Sequence, residues 1–164
     1  MQKSVLLVRK KEPEKITDKP KAAVDTNVLV SAFLSPKGKP AQILSLITEG
    51  ALLLCHNQAI FDEYEDVLSR PGFVFEVTPE ERRFVLDTLK TRGLSCNALI
   101  SSDFPMKDES DRKFYDVAKA AEAFLVTGNK KHYPDEPFIV IPRDFINTFI
   151  YPLEAGNFFT KVKI

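Results

Sequence analysis

The sequence has few cysteines and no long apolar run, and both absences limit what the protein can be. Its two cysteines, Cys55 and Cys96, do not form a CxxC pair, so free thiols are expected rather than a zinc site or a disulfide. No apolar stretch approaches the roughly 20 residues that a membrane span requires. The first eleven residues have a short apolar centre followed by basic residues, which is not the pattern of a signal peptide. We therefore expect an intracellular, cytoplasmic protein without a membrane partner.

The chain also lacks net charge, which argues against a protein that binds nucleic acid through a generally basic surface. The charge is unevenly distributed, because residues 1–21 contain seven basic and three acidic side chains and carry +4, which leaves −4 on the remainder. A basic arm on an acidic body can guide an anionic substrate, although a solvated extension would have the same composition. The sequence contains neither a glycine-rich nucleotide-binding loop nor a serine-nucleophile elbow.

The sequence alternates regularly between two kinds of segment. Short apolar runs are suited to buried strands, and the segments between them have helical periodicity. The predicted strands cover 4–8, 22–24, 51–55, 97–100, 124–127 and 138–141. The predicted helices cover 27–34, 40–49, 57–70, 79–92 and 111–123, with a helical turn at 145–151. Asn57, Thr78 and Ser110 are expected to cap three of these helices. The alternation predicts an α/β fold with a parallel sheet.

The most informative stretch runs from Lys21 to Ser31, where an apolar run ends abruptly in Asp25. Thr26 and Asn27 follow before helical periodicity resumes, which is the pattern of a buried strand that leads into a helix. In open α/β sheets, ligands bind outside the carboxyl ends of the strands. Asp25 is therefore expected at the carboxyl end of a strand, where a parallel sheet binds its ligands.

Two other carboxylates fall beside the apolar faces of their helices. On a helical wheel of the predicted helix 57–70, each residue turns by about 100°, and Ile60 is set at zero. Glu63 then falls at about 300°, beside the buried stripe, whereas the other acidic residues of the helix fall between about 140° and 240°. By the same count, Asp111 lies at the edge of the apolar face of a later helix. Its place in the first helical turn is equally consistent with a simple partner for the helix dipole.

Three carboxylates that face inward from separate elements would repel one another and oppose folding unless a cation neutralised them. Magnesium suits such a site, since it binds a few carboxylates together with waters and phosphate oxygens. A metal held by Asp25, Glu63 and Asp111 could activate water and stabilise the charge that develops on a phosphodiester. The residues thus predict a magnesium-dependent site for phosphodiester hydrolysis.

Four segments, taken in order, resemble the PIN-domain family, most closely the prokaryotic branch of toxins from VapBC-type toxin–antitoxin systems. They are Asp25-Thr26-Asn27, Phe61 to Leu68, Asp108 to Phe114 and Leu125 to Lys131. The resemblance implies a three-layer α/β/α fold with a central parallel sheet. It divides the chain into an N-terminal basic arm and linker (1–20), a PIN-like nuclease domain (21–152) and a C-terminal tail (153–164). The implied activity is that of an endoribonuclease dependent on Mg²⁺ or Mn²⁺, the toxin component of a toxin–antitoxin pair.

The resemblance implies roles for two groups of residues. Catalytic and metal-binding roles fall to Asp25, Glu63 and Asp111, with Asp108 as a further ligand or as a polar loop residue. Support for the site is expected from Thr26, Asn27, Thr127 and Asn129, of which Asn27 would orient Asp25 or a bound water. Many family members have an acidic residue in place of Asn129, and an amide keeps an oxygen ligand but removes a charge. We therefore expect one tightly held metal, with a second recruited by the substrate if at all.

Because the body of the chain is acidic, contacts to RNA must come from local basic residues. Lys130, Lys131 and His132 follow Asn129 directly and are expected to hold phosphates on the rim of the site. Arg112 is a second candidate for RNA binding. His132 is expected at the surface or on a phosphate rather than as a general base.

The resemblance also implies a cognate antitoxin as a protein partner. It leaves a homodimer open, for which Phe158 and Phe159 would be natural anchors, although they could equally pack on the core of their own chain. Two other functions stay open at this point. The same fold could be a catalytically weak module that binds RNA or protein. Alternatively, Asp25 could accept a phosphoryl group in a phosphotransfer module, although the dehalogenase pattern requires a second aspartate where this chain has Asn27.

Overall fold

Five parallel strands form one sheet in the structure, a computed structural model that describes residues 19–72, 78–97, 103 and 105–150. The strands are β1 (Lys21–Val24), β2 (Leu53–His56), β3 (Leu94–Ser95), β4 (Phe124–Val126) and β5 (Ile139–Val140). Their order is β3-β2-β1-β4-β5, and every neighbouring pair is parallel. The chain runs outward from β1 to β3 on one side and continues with β4 on the other. The strand order therefore reverses between β1 and β4.

Six α-helices flank this sheet within the described residues. They are α1 (Thr26–Leu34), α2 (Lys39–Thr48), α3 (Gln58–Leu68), α4 (Pro79–Arg92), α5 (Arg112–Ala121) and α6 (Pro142–Phe145). Two 3-10 turns (Glu109–Asp111 and Lys130–His132) and a π-helical turn (Ile146–Ile150) complete the described structure. None of the described helices is long and apolar enough to cross a membrane. The predicted three-layer α/β/α fold with a central parallel sheet is confirmed.

Local sequence explains where two of the helices begin. The Asn57 side chain accepts the backbone N–H of Ile60 at 2.9 Å and so caps α3. Thr78 and Glu81 form a reciprocal capping box at the start of α4. Both caps agree with the prediction, because a cap depends on residues that are neighbours in the sequence.

The third strand, Leu94–Ser95, follows α4 almost directly and was not predicted from the sequence. It pairs in parallel with β2, with Cys55 opposite Leu94. Of the predicted strand at 97–100, only residue 97 is described, so that strand stays a prediction. Residues 98–100, the predicted edge strand at 4–8, the linker up to residue 18 and the tail at 153–164 lie outside the described residues.

The start of α5 also differs from the prediction. The predicted cap, Ser110, lies inside a 3-10 turn that Asp108 caps, since the Asp108 carboxylate accepts the N–H of Ser110 at 2.9 Å. The N-cap of α5 is Asp111, whose side chain makes no capping hydrogen bond. The α-helix proper starts at Arg112 and ends before Glu122, which adopts a left-handed conformation with φ of 51°. The terminal helical turn likewise starts earlier than predicted, at Pro142.

Buried side chains join the helices to the end of β1. Tyr64 of α3 is 1% exposed, and its hydroxyl donates a hydrogen bond to the carbonyl of Val24. Val24 is the last residue of β1 and immediately precedes Asp25. The aromatic core therefore holds in place the strand end that carries the first predicted site residue.

The two cysteines are free thiols, as predicted. Cys55 is buried in β2, and burial, with a further contribution from the neighbouring Cys96, raises the pKa of its thiol to about 12. Burial also raises the pKa of Cys96. Both residues therefore act as packing groups and are not thiolate nucleophiles.

We expect Gly93→Ala to destabilise the fold by about 1–3 kcal/mol, the usual cost of an overpacked site. A Cβ at Gly93 would lie 2.6 Å from the His56 ring and 2.7 Å from the carbonyl oxygen of Leu89, and that carbonyl is backbone that cannot swing away. Gly72→Ala is the matched control, since a Cβ there would meet no atom within 4 Å among the residues that the structure describes. Urea unfolding of both variants measures the difference. Equal stability of the two variants would contradict the expectation.

Candidate active site

The reversal of strand order between β1 and β4 brings two buried polar residues together. Val24 and Val126 are register partners on the paired strands, and they are followed by Asp25 and Thr127. The Thr127 hydroxyl donates a hydrogen bond to Oδ2 of Asp25 at 2.9 Å. Open parallel sheets bind ligands at such a switch point. Asp25 therefore occupies the position that this sheet offers to a ligand.

A second hydroxyl, that of Tyr133, holds the same carboxylate oxygen. Tyr133 is buried and donates to Oδ2 of Asp25 at 2.9 Å. Burial raises the pKa of Tyr133 far above its usual value, and the negative charges of Asp25, Asp111 and Glu63 act in the same direction. The phenol therefore stays protonated. The three carboxylates predicted from the sequence are close enough for their charges to act on this one hydroxyl.

The other oxygen of Asp25 is less engaged. Within the described residues, Oδ1 receives the backbone N–H of Asn27 at 3.5 Å, which is long for a hydrogen bond. The Asn27 side chain, predicted to orient Asp25 or a bound water, accepts the N–H of Gly128 at 3.1 Å through its Oδ1. That bond ties the start of α1 to the loop after β4 and leaves Oδ1 of Asp25 the better placed oxygen for a ligand.

Glu63 reaches the site from α3 and is held at both carboxylate oxygens. Its Oε1 accepts the hydroxyl of Thr26 at 2.6 Å, and its Oε2 forms an ion pair with the ammonium of Lys113. The Glu63 and Lys113 side chains are 27% and 18% exposed, so the pair is largely shielded from water. Lys113 also donates to the carbonyl of Ser110. The site thus already contains a cation, supplied by the chain itself.

Asp111 is buried at the end of the 3-10 turn that precedes α5. Burial raises its pKa and the nearby negative charge of Asp25 raises it further, while a hydrogen bond from His132 opposes the rise. The Nδ1 atom of His132 lies 3.1 Å from Oδ2 of Asp111. Sequence reasoning assigns His132 to the surface or to a phosphate, whereas the structure gives its half-buried ring a carboxylate partner inside the site.

Asn129 connects two sides of the site. Its backbone N–H donates to the Thr127 hydroxyl oxygen at 3.0 Å, and its side-chain Nδ2 lies 2.7 Å from Nε2 of His132. Asn129 is predicted to support the site, with an amide where many family members have an acidic residue. In the structure, the NH₂ group of its amide faces the imidazole.

The remaining predicted residues lie further from this centre. Asp108 is exposed, and hydrogen bonding from the side chain and from the backbone N–H of Ser110 lowers the pKa of its carboxyl group. Of its two predicted roles, these contacts favour the polar loop residue. Arg112 is paired with Glu109, with 2.6 Å between Nε and Oε2, so the arginine already has an anionic partner.

The donor set suits a hard divalent cation, because all three candidate ligands are carboxylates. Among the described residues, however, no three histidine, cysteine, aspartate or glutamate side chains are already arranged to hold a metal ion. Glu63 is not free to bind a metal as it stands, because Lys113 contacts one of its carboxylate oxygens and Thr26 the other. Asp25, Glu63 and Asp111 are therefore the residues that could hold Mg²⁺ or Mn²⁺, provided that the Lys113 ammonium gives way at Glu63.

Sequence reasoning missed two residues of the site, Lys113 and Tyr133. The helical count that selects Asp111 also puts Lys113 at about 260°, on the opposite flank of the apolar arc, so its position was a usable signal. Nothing comparable marks Tyr133. It lies in an irregular loop and meets Asp25 across 108 residues of sequence.

Comparison with known proteins identifies the family. A family model described as PIN domain matches residues 21–131, a range that contains Asp25, Glu63, Asp111 and Asn129. An uncharacterized protein of the archaeon Methanocaldococcus jannaschii is 34% identical over 113 residues, which cover 67% of this chain and 71% of that protein. No solved structure matches the chain. The toxin branch is not singled out by these matches, but the family itself is shown: the chain belongs to the PIN-domain family.

Proposed function

We propose that this protein is an endoribonuclease that hydrolyses RNA phosphodiester bonds with the help of a bound Mg²⁺ or Mn²⁺. Membership of the PIN-domain family gives the chain a nuclease-type fold. The observation that carries the proposal is that contacts bring the three carboxylates to one end of the sheet. Thr26, which follows Asp25, contacts Glu63, and Lys113, two residues after Asp111, pairs with Glu63. Tyr133 contacts Asp25 directly, and the charges of Glu63 and Asp111 act on its hydroxyl. Like charges grouped in this way oppose folding unless a cation balances them.

The residues that would hold the metal are Asp25, Glu63 and Asp111, and when bound it would supply a Lewis acid for the scissile phosphate and the attacking water. The chain's own groups prepare this centre. Thr127 and Tyr133 both donate to Oδ2 of Asp25, so the carboxylate cannot rotate freely. Fixed dipoles of this kind need no reorganisation when charge develops during the reaction.

The proposed substrate strand is held at the rim beside Asn129. Lys130 and Lys131 are exposed in the 3-10 turn that follows it, where their ammonium groups can reach phosphates without a desolvation cost. Such contacts weaken as salt concentration rises. Arg112 is given a secondary role, since Glu109 competes for its guanidinium. We further propose, from the resemblance to the toxin branch, that a cognate antitoxin is the partner of the protein in the cytoplasm.

End-labelled single-stranded RNA should be cleaved with Mg²⁺ or Mn²⁺ and should remain intact in EDTA. Asp25→Asn and Glu63→Gln should each lower the rate about 100-fold or more, the size of effect seen when one preorganised electrostatic group is removed. Asp62→Asn is the matched control, because Asp62 adjoins Glu63 in the sequence but is exposed and bonded to Gln58 on the same helix. Equal cleavage by wild type in metal, by wild type in EDTA and by Asp25→Asn would rule the proposal out.

Mn²⁺ should raise the melting temperature, because a ligand of the native state alone stabilises it by about 2.7 kcal/mol at 100 times its Kd. The increase should vanish in Asp111→Asn, which removes one proposed ligand charge, and should persist in Asp62→Asn. Thermal melting with and without the metal measures both. If Mn²⁺ leaves the melting temperature of the wild type unchanged, these carboxylates do not form a competent metal site.

Lys113→Gln should have opposite effects on the metal-free and the metal-bound protein. Without metal, Glu63 loses its ammonium partner and the melting temperature should fall. With Mn²⁺, no ammonium competes for Glu63, so the metal-induced increase should exceed that of the wild type. Lys119→Gln on the same helix is the control, since Lys119 pairs with Glu136 instead. An unchanged metal-induced increase in Lys113→Gln would contradict the competition.

A further inference from the structure

Asn129, His132 and Asp111 form a continuous line of side-chain contacts. Nδ2 of Asn129 lies 2.7 Å from Nε2 of His132, and Nδ1 of the same ring lies 3.1 Å from Oδ2 of Asp111. Asn129 and His132 are each partly buried, and Asp111 is 9% exposed. The line therefore starts at the amide and ends inside the site, on a carboxylate that is one of the three proposed metal ligands.

The two contacts of His132 agree on one arrangement of its ring proton. An amide NH₂ group can only donate, so Nε2 must be the acceptor of that contact. A carboxylate can only accept, so Nδ1 must carry the proton that faces Asp111. Together they require the neutral Nδ1–H tautomer, and the hydrogen bond at one ring nitrogen determines the state of the other.

Asn129 is also connected to the first carboxylate of the site. Its backbone N–H donates to the Thr127 hydroxyl oxygen at 3.0 Å, and that hydroxyl donates to Oδ2 of Asp25 at 2.9 Å. One residue thus supports Asp25 through its backbone and Asp111 through its side chain. This places Asn129 behind the carboxylates, where it supports groups that could contact a metal.

We propose that Asn129 is a positioning residue that acts through His132 on Asp111, and is not itself a metal ligand. Its amide keeps the ring proton on Nδ1, and this N–H orients the Asp111 carboxylate. The consequence for metal binding rests on the proposed function, whereas the tautomer does not. Outer partners of metal ligands usually change metal affinity by about 10–100-fold. An aspartate at position 129 could only accept, so Nε2 would have to donate: the ring would either give up its proton on Nδ1 or become an imidazolium that pairs with Asp111 and repels a cation.

The tautomer can be read directly in the metal-free protein. Long-range ¹H–¹⁵N correlation of the imidazole rings at pH 8, above the usual histidine pKa of about 6.5, distinguishes a protonated from an unprotonated ring nitrogen. His132 should show protonated Nδ1 and unprotonated Nε2, and loss of one signal set in His132→Asn separates it from His56, the second histidine of the chain. In Asn129→Asp, Nε2 should be protonated, because the group that faces it can only accept. An Nε2–H tautomer in the wild type would overturn the proposal.

The effect on Mn²⁺ affinity, measured by titration calorimetry, tests whether Asn129 acts through His132. Asn129→Asp should weaken binding about 10-fold. His132→Asn keeps a nitrogen donor near the place of Nδ1 but has no Nε2, so adding Asn129→Asp to it should change the affinity little. Asp135→Asn, an exposed change in the same loop, should bind as the wild type does. Tighter binding by Asn129→Asp, or an equal loss in both backgrounds, would overturn the proposal.

The proposed function and the positioning role of Asn129 can each be wrong without the other. If the wild type neither binds Mn²⁺ nor cleaves RNA, the proposed function is wrong, and the ring spectrum of the metal-free protein still decides the positioning role. If the wild type cleaves RNA but His132 carries its proton on Nε2, the proposed function stands and the positioning role is wrong.

Discussion

The carboxylate of Asp25 at the end of β1 is the constraint on which the rest of the structure around the site depends. Its backbone N–H is bonded to the carbonyl of Val126 at 2.9 Å, so it continues the pairing of β1 with β4. Its Oδ2 accepts two hydroxyl protons, from Thr127 and Tyr133, and its carboxylate also caps α1. Sheet pairing, helix start and side-chain orientation therefore meet in one residue. A shift of β1 against β4 would break the backbone bond to Val126 and the hydroxyl bond from Thr127.

Around Asp25, the chain brings negative charges together and compensates them incompletely. Asp25 accepts hydrogen bonds from two neutral hydroxyl groups, and Glu63 pairs with the ammonium of Lys113. Asp111 is contacted by the imidazole of His132. The raised pKa of Asp111 shows that burial and the charge of Asp25 outweigh its hydrogen bond. An ionised Asp111 therefore opposes folding at neutral pH. This residual cost is the physical link between the fold and the proposed cation, because a cation is the partner that would remove it.

The parts of the site that sequence reasoning could reach are those with a local signature. Glu63 was selected because its helical angle separates it from the exposed Asp62, and Asn57 was recognised as a cap because a cap spans three residues. Lys113 had the same kind of signature as Asp111 and was overlooked. Tyr133 had none, because a loop has no periodicity that reports which way a side chain faces.

What the sequence by itself determined is the alternation of elements, hence the parallel sheet, and the residues that end its strands, hence Asp25 and Thr127 at one edge. Those properties follow from local periodicity and from the geometry that all parallel sheets share. Only the tertiary structure decided the partners: the hydroxyl of Tyr133 on Asp25, and Asn129 turned toward His132. Hydrogen bonds are short-ranged and directional, so their pairing depends on where distant segments meet in space, which no local pattern encodes.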